Sequence, residues 1–216
     1  MSEHLTDEEQ LESLKRLWKE YGATVIAAVV VSVGGYLGWN YWQDQQRIKA
    51  ETASALFEQL QATTQGGTTA AQDELVARLK DHDSGSIYAW QAGLYAAQAA
   101  VQNQNLEGAR KELQWVLDNS RDQGISYIAH LRLARVLAAQ GDYDQALGTL
   151  EAVTAPAYAG ERAEIRGDIF RLRGDKNEAF LAYEQALSDI QNDPQRRMLL
   201  QMKLDDLAVA GAESDS

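Results

Sequence analysis

The side chains best suited to acid–base or metal chemistry are few and scattered. The three histidines are His4, His82 and His130, and no two of them form a local ligand or catalytic pair. Cysteine is absent, which removes disulfides, thiolate zinc sites and cysteine nucleophiles together. His82 stands between Asp81 and Asp83 in a turn-forming stretch, where a solvated or capping role outweighs metal binding. His130 falls at a large position of a repeated helix, where packing is expected. The pairs Gly141-Asp142 and Gly174-Asp175 lack the series of oxygen ligands that a calcium loop needs. No phosphate-cradling glycine loop or serine nucleophile elbow occurs, and Asp205 and Asp206 point apart as neighbours on one helix. The residues therefore predict no enzyme, no cofactor, no metal site and no small-molecule substrate.

What must position any functional surface is a helical framework. Only Pro156 and Pro194 interrupt it, both late in the chain, while 45% of the residues are hydrophobic and 24% charged. The formal charge of −12 argues against nucleic acid, which is held by clustered lysine and arginine.

Residues 21–43 carry no charge, and 23–33 are almost purely Ala, Val and Ile. As a helix this stretch is about 34 Å long, against a hydrocarbon core of roughly 30 Å. Trp18 and Tyr21 mark one end, and Trp39, Tyr41 and Trp42 the other, as aromatic side chains do at headgroups. A soluble helix would keep a polar stripe, and a cleaved signal peptide would have a shorter apolar core, so a transmembrane anchor in contact with lipid is expected. Lys15, Arg16 and Lys19 precede it and Arg47 and Lys49 follow it, a small bias toward a cytoplasmic N-terminus. Gly34, Gly35 and Gly38 form a small-residue face on which another membrane helix could pack. Residues 1–20 make a cytoplasmic tail, in which Thr6 and Glu9 form a capping box ahead of Leu11, Leu14, Trp18 and Tyr21 at helical spacing.

Residues 44–207 read as helices stacked in pairs. Leu131–Ala146 aligns with Glu164–Ala179 at an offset of 33 residues, Gly-Asp falling on Gly-Asp and Ala on Ala. That is close to the tetratricopeptide period of 34. Gly167, Phe170, Gly174, Ala179, Tyr183 and Ala186 take the pattern positions in the last copy, and Ala134, Leu137, Gly141, Ala146, Leu150 and Val153 in the one before. A degenerate copy holds Ala97, Ala100, Ala109, Leu113 and Val116, followed by a longer connection from Asn119 to Ser126. Small residues let paired helices approach and larger ones fill the space between pairs, so these are core positions. Met198, Leu200, Met202 and Leu207 lie on a capping helix, and 208–216 reads as a disordered acidic tail. The fold class expected is all-α, a single transmembrane helix followed by a tetratricopeptide-like α-solenoid. Its groove would be lined by the first helix of each pair, at Gln91, Leu94, Gln98, Ile128, Leu131, Arg135, Glu164, Asp168 and Arg171.

A mixed-charge tail, a span ending in Gly38-Trp39-Asn40-Tyr41-Trp42, a degenerate tetratricopeptide array and the closing run Gln201–Leu207 together resemble the YfgM family. So do Leu131–Val136, Ile165–Asp168 and Arg173–Lys176. The resemblance covers the chain up to Leu207. It implies an ancillary subunit of the SecYEG translocon, in the bacterial inner membrane with its C-terminal domain in the periplasm. It also implies association with PpiD, a membrane-anchored periplasmic chaperone, and help in handling unfolded exported proteins, with no catalytic residue. A different class of function, a membrane-bound regulator whose repeats bind a stress-signalling protein, would need the repeats on the cytoplasmic side.

Overall fold

The computed structural model describes residues 7–63, 69–190 and 193–212, and among them every regular element is a helix. The chain divides into two compact units between Glu51 and Thr52. Helix α1 is Asp7–Thr63, and the first unit contains its apolar stretch. From Val25 to Trp42 its large apolar side chains are 49–74% exposed. Among the described residues this is the one helix long and apolar enough to cross a membrane, with a mean hydropathy of 1.6 over its best window. Within it the Ser32 hydroxyl donates to the Ala28 carbonyl at 2.8 Å, which satisfies a polar group where lipid offers no partner. Trp18 lies over Gly22, whose added Cβ would meet the indole at 3.3 Å. Thr6 of the expected capping box lies outside the described residues.

In the second unit the end of α1 pairs with α2 (Thr69–His82) through Ala53, Leu56, Leu60, Leu75, Val76 and Leu79, joined by Ala92 of the next helix. Three helix pairs follow: α3 (Ile87–Gln102) with α4 (Leu106–Asn119), α5 (Gln123–Gln140) with α6 (Tyr143–Leu150), and α7 (Ala159–Arg173) with α8 (Lys176–Asp189). Helix α9 (Pro194–Ala212) packs Leu200, Leu204 and Leu207 against Ala179, Tyr183 and Ala186 of α8. The central core unites α3 to α7 through residues such as Leu113, Val116, Leu137, Val153, Ile165 and Ile169. All six are at most 1% exposed.

Side-chain caps start α3, α4 and α5. The backbone amides of Ala89, Gly108 and Ile125 donate to Ser86, Asn105 and Asp122 respectively, at 3.2, 2.9 and 2.8 Å. The Asp122 cap corrects one expectation. Helix α5 begins at Gln123, so the connection after α4 is only Ser120 to Asp122 rather than a loop reaching Ser126. Gly124 sits in the first helical turn, where the cap outweighs its low helix propensity. Likewise α9 runs on through Ala208–Ala212, where a disordered tail was expected, and 213–216 lie outside the described residues.

The turns inside the pairs show why two copies are clear and one is degenerate. Gly141 and Gly174 end α5 and α7 at φ 87° and 96°, the left-handed region open to glycine. In the first pair Gln104 takes that role at φ 58°. A left-handed conformation costs a non-glycine residue about 1–2 kcal/mol, and glycine's greater freedom in the unfolded chain returns about half of it. Gln104→Gly is therefore expected to stabilise the array by about 0.5–1 kcal/mol, read as a higher midpoint in urea unfolding followed by circular dichroism.

Candidate functional site

The first helices α3, α5 and α7 carry all nine positions expected in the groove, but burial sorts them into three kinds. Gln98, Arg135 and Arg171 are exposed, and Gln91 is half-buried. Leu94 and Leu131 are core residues, 7% and 2% exposed, and Ile128 is half-buried against the same cluster. Their assignment to an open groove is corrected: a leucine beside the neighbouring pair's apolar face gains more from burial than from solvent.

Glu164 and Asp168 are engaged by the capping helix. Arg196 Nε and Lys203 Nζ of α9 donate to Glu164 at 2.7 and 2.9 Å, and Lys203 also donates to Asp168 at 2.7 Å. The Tyr183 hydroxyl of α8 donates to Asp168 at 2.8 Å, and Glu161 meets Arg135 at 3.0 Å and Arg196 at 4.0 Å. One ionic chain thus runs from α5 through α7 to α8 and α9. Burial of Glu164 opposes its charge, but the hydrogen bonds and charges of Lys203 and Arg196 outweigh burial and hold its pKa below the usual value. Burial first, then the Asp168 carboxylate, pushes the Tyr183 phenol well above its ordinary range.

This network stabilises the end of the array. Glu164→Gln leaves two half-buried cations short of a carboxylate and is expected to cost about 1–3 kcal/mol at pH 7. A carboxylate whose pKa is lowered by folding contributes above its unfolded value and loses that contribution as pH falls through the folded one. The gap between wild type and Glu164→Gln is therefore expected to close below the ordinary glutamate value of 4.5. Paired thermal melts at pH 7 and pH 3 check this, and a constant gap would contradict it.

Two clefts open between the pairs. One, of about 340 Å³ and mostly apolar, lies among α3, α4 and α5 and includes Gln98 and Arg135, together with Val101 and Arg132, which the sequence reading missed. Val101 follows Gln98 by one helical turn, and Arg132 precedes Arg135 by one, so extending the expected stripe by a turn was the available signal. The other, of about 420 Å³, is more polar and includes Arg110, His130 and Gln145. Burial lowers the His130 pKa, which keeps the ring neutral near pH 7, and among the described residues its Nδ1 has no hydrogen-bond partner. Among the described residues no three His, Asp or Glu side chains converge as metal ligands do.

In α1, Cβ atoms added at Gly34, Gly35 or Gly38 would meet nothing within 4 Å among the described residues.

The model of a tetratricopeptide repeat-like domain matches residues 15–209. Curated relatives called "Ancillary SecYEG translocon subunit" include one from Neisseria gonorrhoeae, 33% identical over 96% of this chain and all of its own length. Those from Haemophilus influenzae and Escherichia coli are 32% and 30% identical, over 96% and 94% of this chain and 100% and 97% of theirs. Among solved structures, residues 41 to the end of MamA from Desulfovibrio magneticus RS-1 superpose with a TM-score of 0.54 at 20% identity. That match covers 74% of this chain and 89% of the other, a likeness of fold.

Proposed function

The chain belongs to the tetratricopeptide repeat-like family of ancillary SecYEG translocon subunits, and we propose from this that it serves at the translocon as a membrane-tethered protein-interaction module. The observation that carries the reading is the joining, in one chain, of an exposed apolar helix to a stack of helix pairs. The helix spans the inner membrane once, in contact with lipid, with the N-terminal tail in the cytoplasm and the repeats in the periplasm. Gly34, Gly35 and Gly38 offer the close approach that a partner membrane helix needs. The exposed first-helix residues, Gln98, Arg135 and Arg171 with half-buried Gln91, face protein partners, the periplasmic chaperone PpiD and unfolded exported chains.

The physics suits recruitment rather than catalysis. Anchoring confines the repeats near the channel exit and raises the local concentration of any partner, so a weak surface suffices. The full-length protein, extracted from membranes in mild detergent, is expected to co-purify with SecYEG subunits and with PpiD. Recovery of neither contradicts the reading, and recovery of a cytosolic signalling protein on the repeats favours a regulator instead.

A further inference from the structure

The apolar cleft among α3, α4 and α5 has a chemistry more specific than a general contact surface. Leu113 and Val136 form a buried floor, 1% and 5% exposed, while Val101 at the rim is 44% exposed. With Leu106 these side chains enclose about 340 Å³, at the low end of the roughly 300–1,000 Å³ typical of ligand pockets. The two charged residues of the lining are both cations, Arg132 and Arg135, in a chain whose net charge is −12. They differ in what they already hold. Arg135 is paired with Glu161 at 3.0 Å. Arg132 is half-buried and donates from Nη1 to the Leu94 carbonyl at 3.2 Å, and among the described residues it has no carboxylate within ion-pair distance.

A half-buried guanidinium with only a carbonyl partner, beside an apolar slot, is matched by a ligand that brings an apolar group and a carboxylate together. We propose that this cleft binds a polypeptide segment in which one large apolar side chain fills the slot and a carboxylate one or two residues away pairs with Arg132. Successive residues of an extended chain advance about 3.3–3.6 Å, so that spacing keeps both groups within the reach of one pocket. The carboxylate is supplied by an acidic residue or by a free C-terminus. This assignment rests on the reading of the array as a protein-interaction surface and names the chemistry of one part of it.

The test uses the full-length protein in lipid nanodiscs and fluorescence anisotropy with three labelled decapeptides, each with one Phe near its C-terminus. The first has Phe followed by Asp with an amidated end, the second Phe and Asn with a free carboxylate, and the third Phe and Asn amidated. At least one carboxylate-bearing peptide is expected to bind ten-fold or more tighter than the third, and which of the two does so identifies the source of the carboxylate. Arg132→Gln is expected to erase that difference. Val101→Glu, at an exposed position that leaves the core intact, is expected to weaken the carboxylate peptides ten-fold or more. Equal binding of all three peptides, insensitivity to both substitutions, or binding of oleate with no peptide bound overturns the assignment. SecYEG co-purification of the same variants separates the two claims. A wild-type protein that retains the translocon but binds no peptide refutes the cleft alone, whereas loss of translocon association in the wild type refutes the broader reading.

Discussion

Gly167→Leu is expected to melt the last helix pair and its cap while leaving α3 to α6 folded. A Cβ at position 167 would lie 2.5 Å from both Cδ1 and Cε1 of Tyr183. The ring cannot step aside, because Tyr183 is fully buried, packs with Ala179, Ala186 and Leu200, and is tied to Asp168 through its hydroxyl at 2.8 Å. Even alanine there is expected to lose. Its helix-propensity gain of about 1 kcal/mol is smaller than an overpacking cost of about 1–3 kcal/mol. Leucine adds three further carbons to the same clash, so its cost is expected to exceed about 3 kcal/mol. At about 2–4 °C per kcal/mol the melting midpoint should fall by about 6 °C or more. In a stacked array each pair rests on its neighbours, so limited proteolysis should cut α7 to α9 first. An unchanged melt would mean that α7 and α8 do not meet at Gly167.

Leu131→Ala carries the second large expectation, and its comparison with Arg135→Ala separates core from surface on a single helix. Leu131 is 2% exposed within the central cluster, and truncating such a leucine costs about 2–5 kcal/mol through lost burial and the cavity left behind. Arg135, one helical turn away, is exposed and gives up an ion pair with Glu161, worth at most about 1 kcal/mol. Urea unfolding should therefore show a large loss for Leu131→Ala and a small one for Arg135→Ala. The reverse order would place Leu131 in the groove after all.

That contrast shows where sequence reasoning stopped. The repeat was legible because its turns need glycine: Gly141 and Gly174 hold left-handed backbone, and Ala146 and Ala179 stand where paired helices touch, each with no exposed surface. Periodicity told which helix a residue belongs to, but successive residues differ by about 100° around the axis. Leu94 and Leu131 therefore passed for groove residues when the adjacent pair covers them. Glu164 and Asp168 were placed on the right helix, yet their partners Arg196 and Lys203 come from α9, a separation no local pattern reports. The signal was present in charge. Two acids four residues apart on α7 face two bases seven apart on α9, each set lying along one face of its helix. The cleft beside Arg132 depends on three helices meeting, and a one-dimensional reading could identify only its rim.

The long apolar N-terminal helix crosses the inner membrane, and neither its orientation nor the partners of the repeats are fixed by the fold. Photoreactive residues placed in turn at Gly34, Gly38, Arg135 and Arg171, crosslinked in native membranes and read by mass spectrometry, test the proposed orientation and partners most directly. Adducts to SecYEG subunits from positions 34 and 38, and to PpiD or an exported chain from 135 and 171, are the predicted result. Adducts from 135 and 171 to cytosolic signalling proteins alone would reverse the orientation and contradict the account.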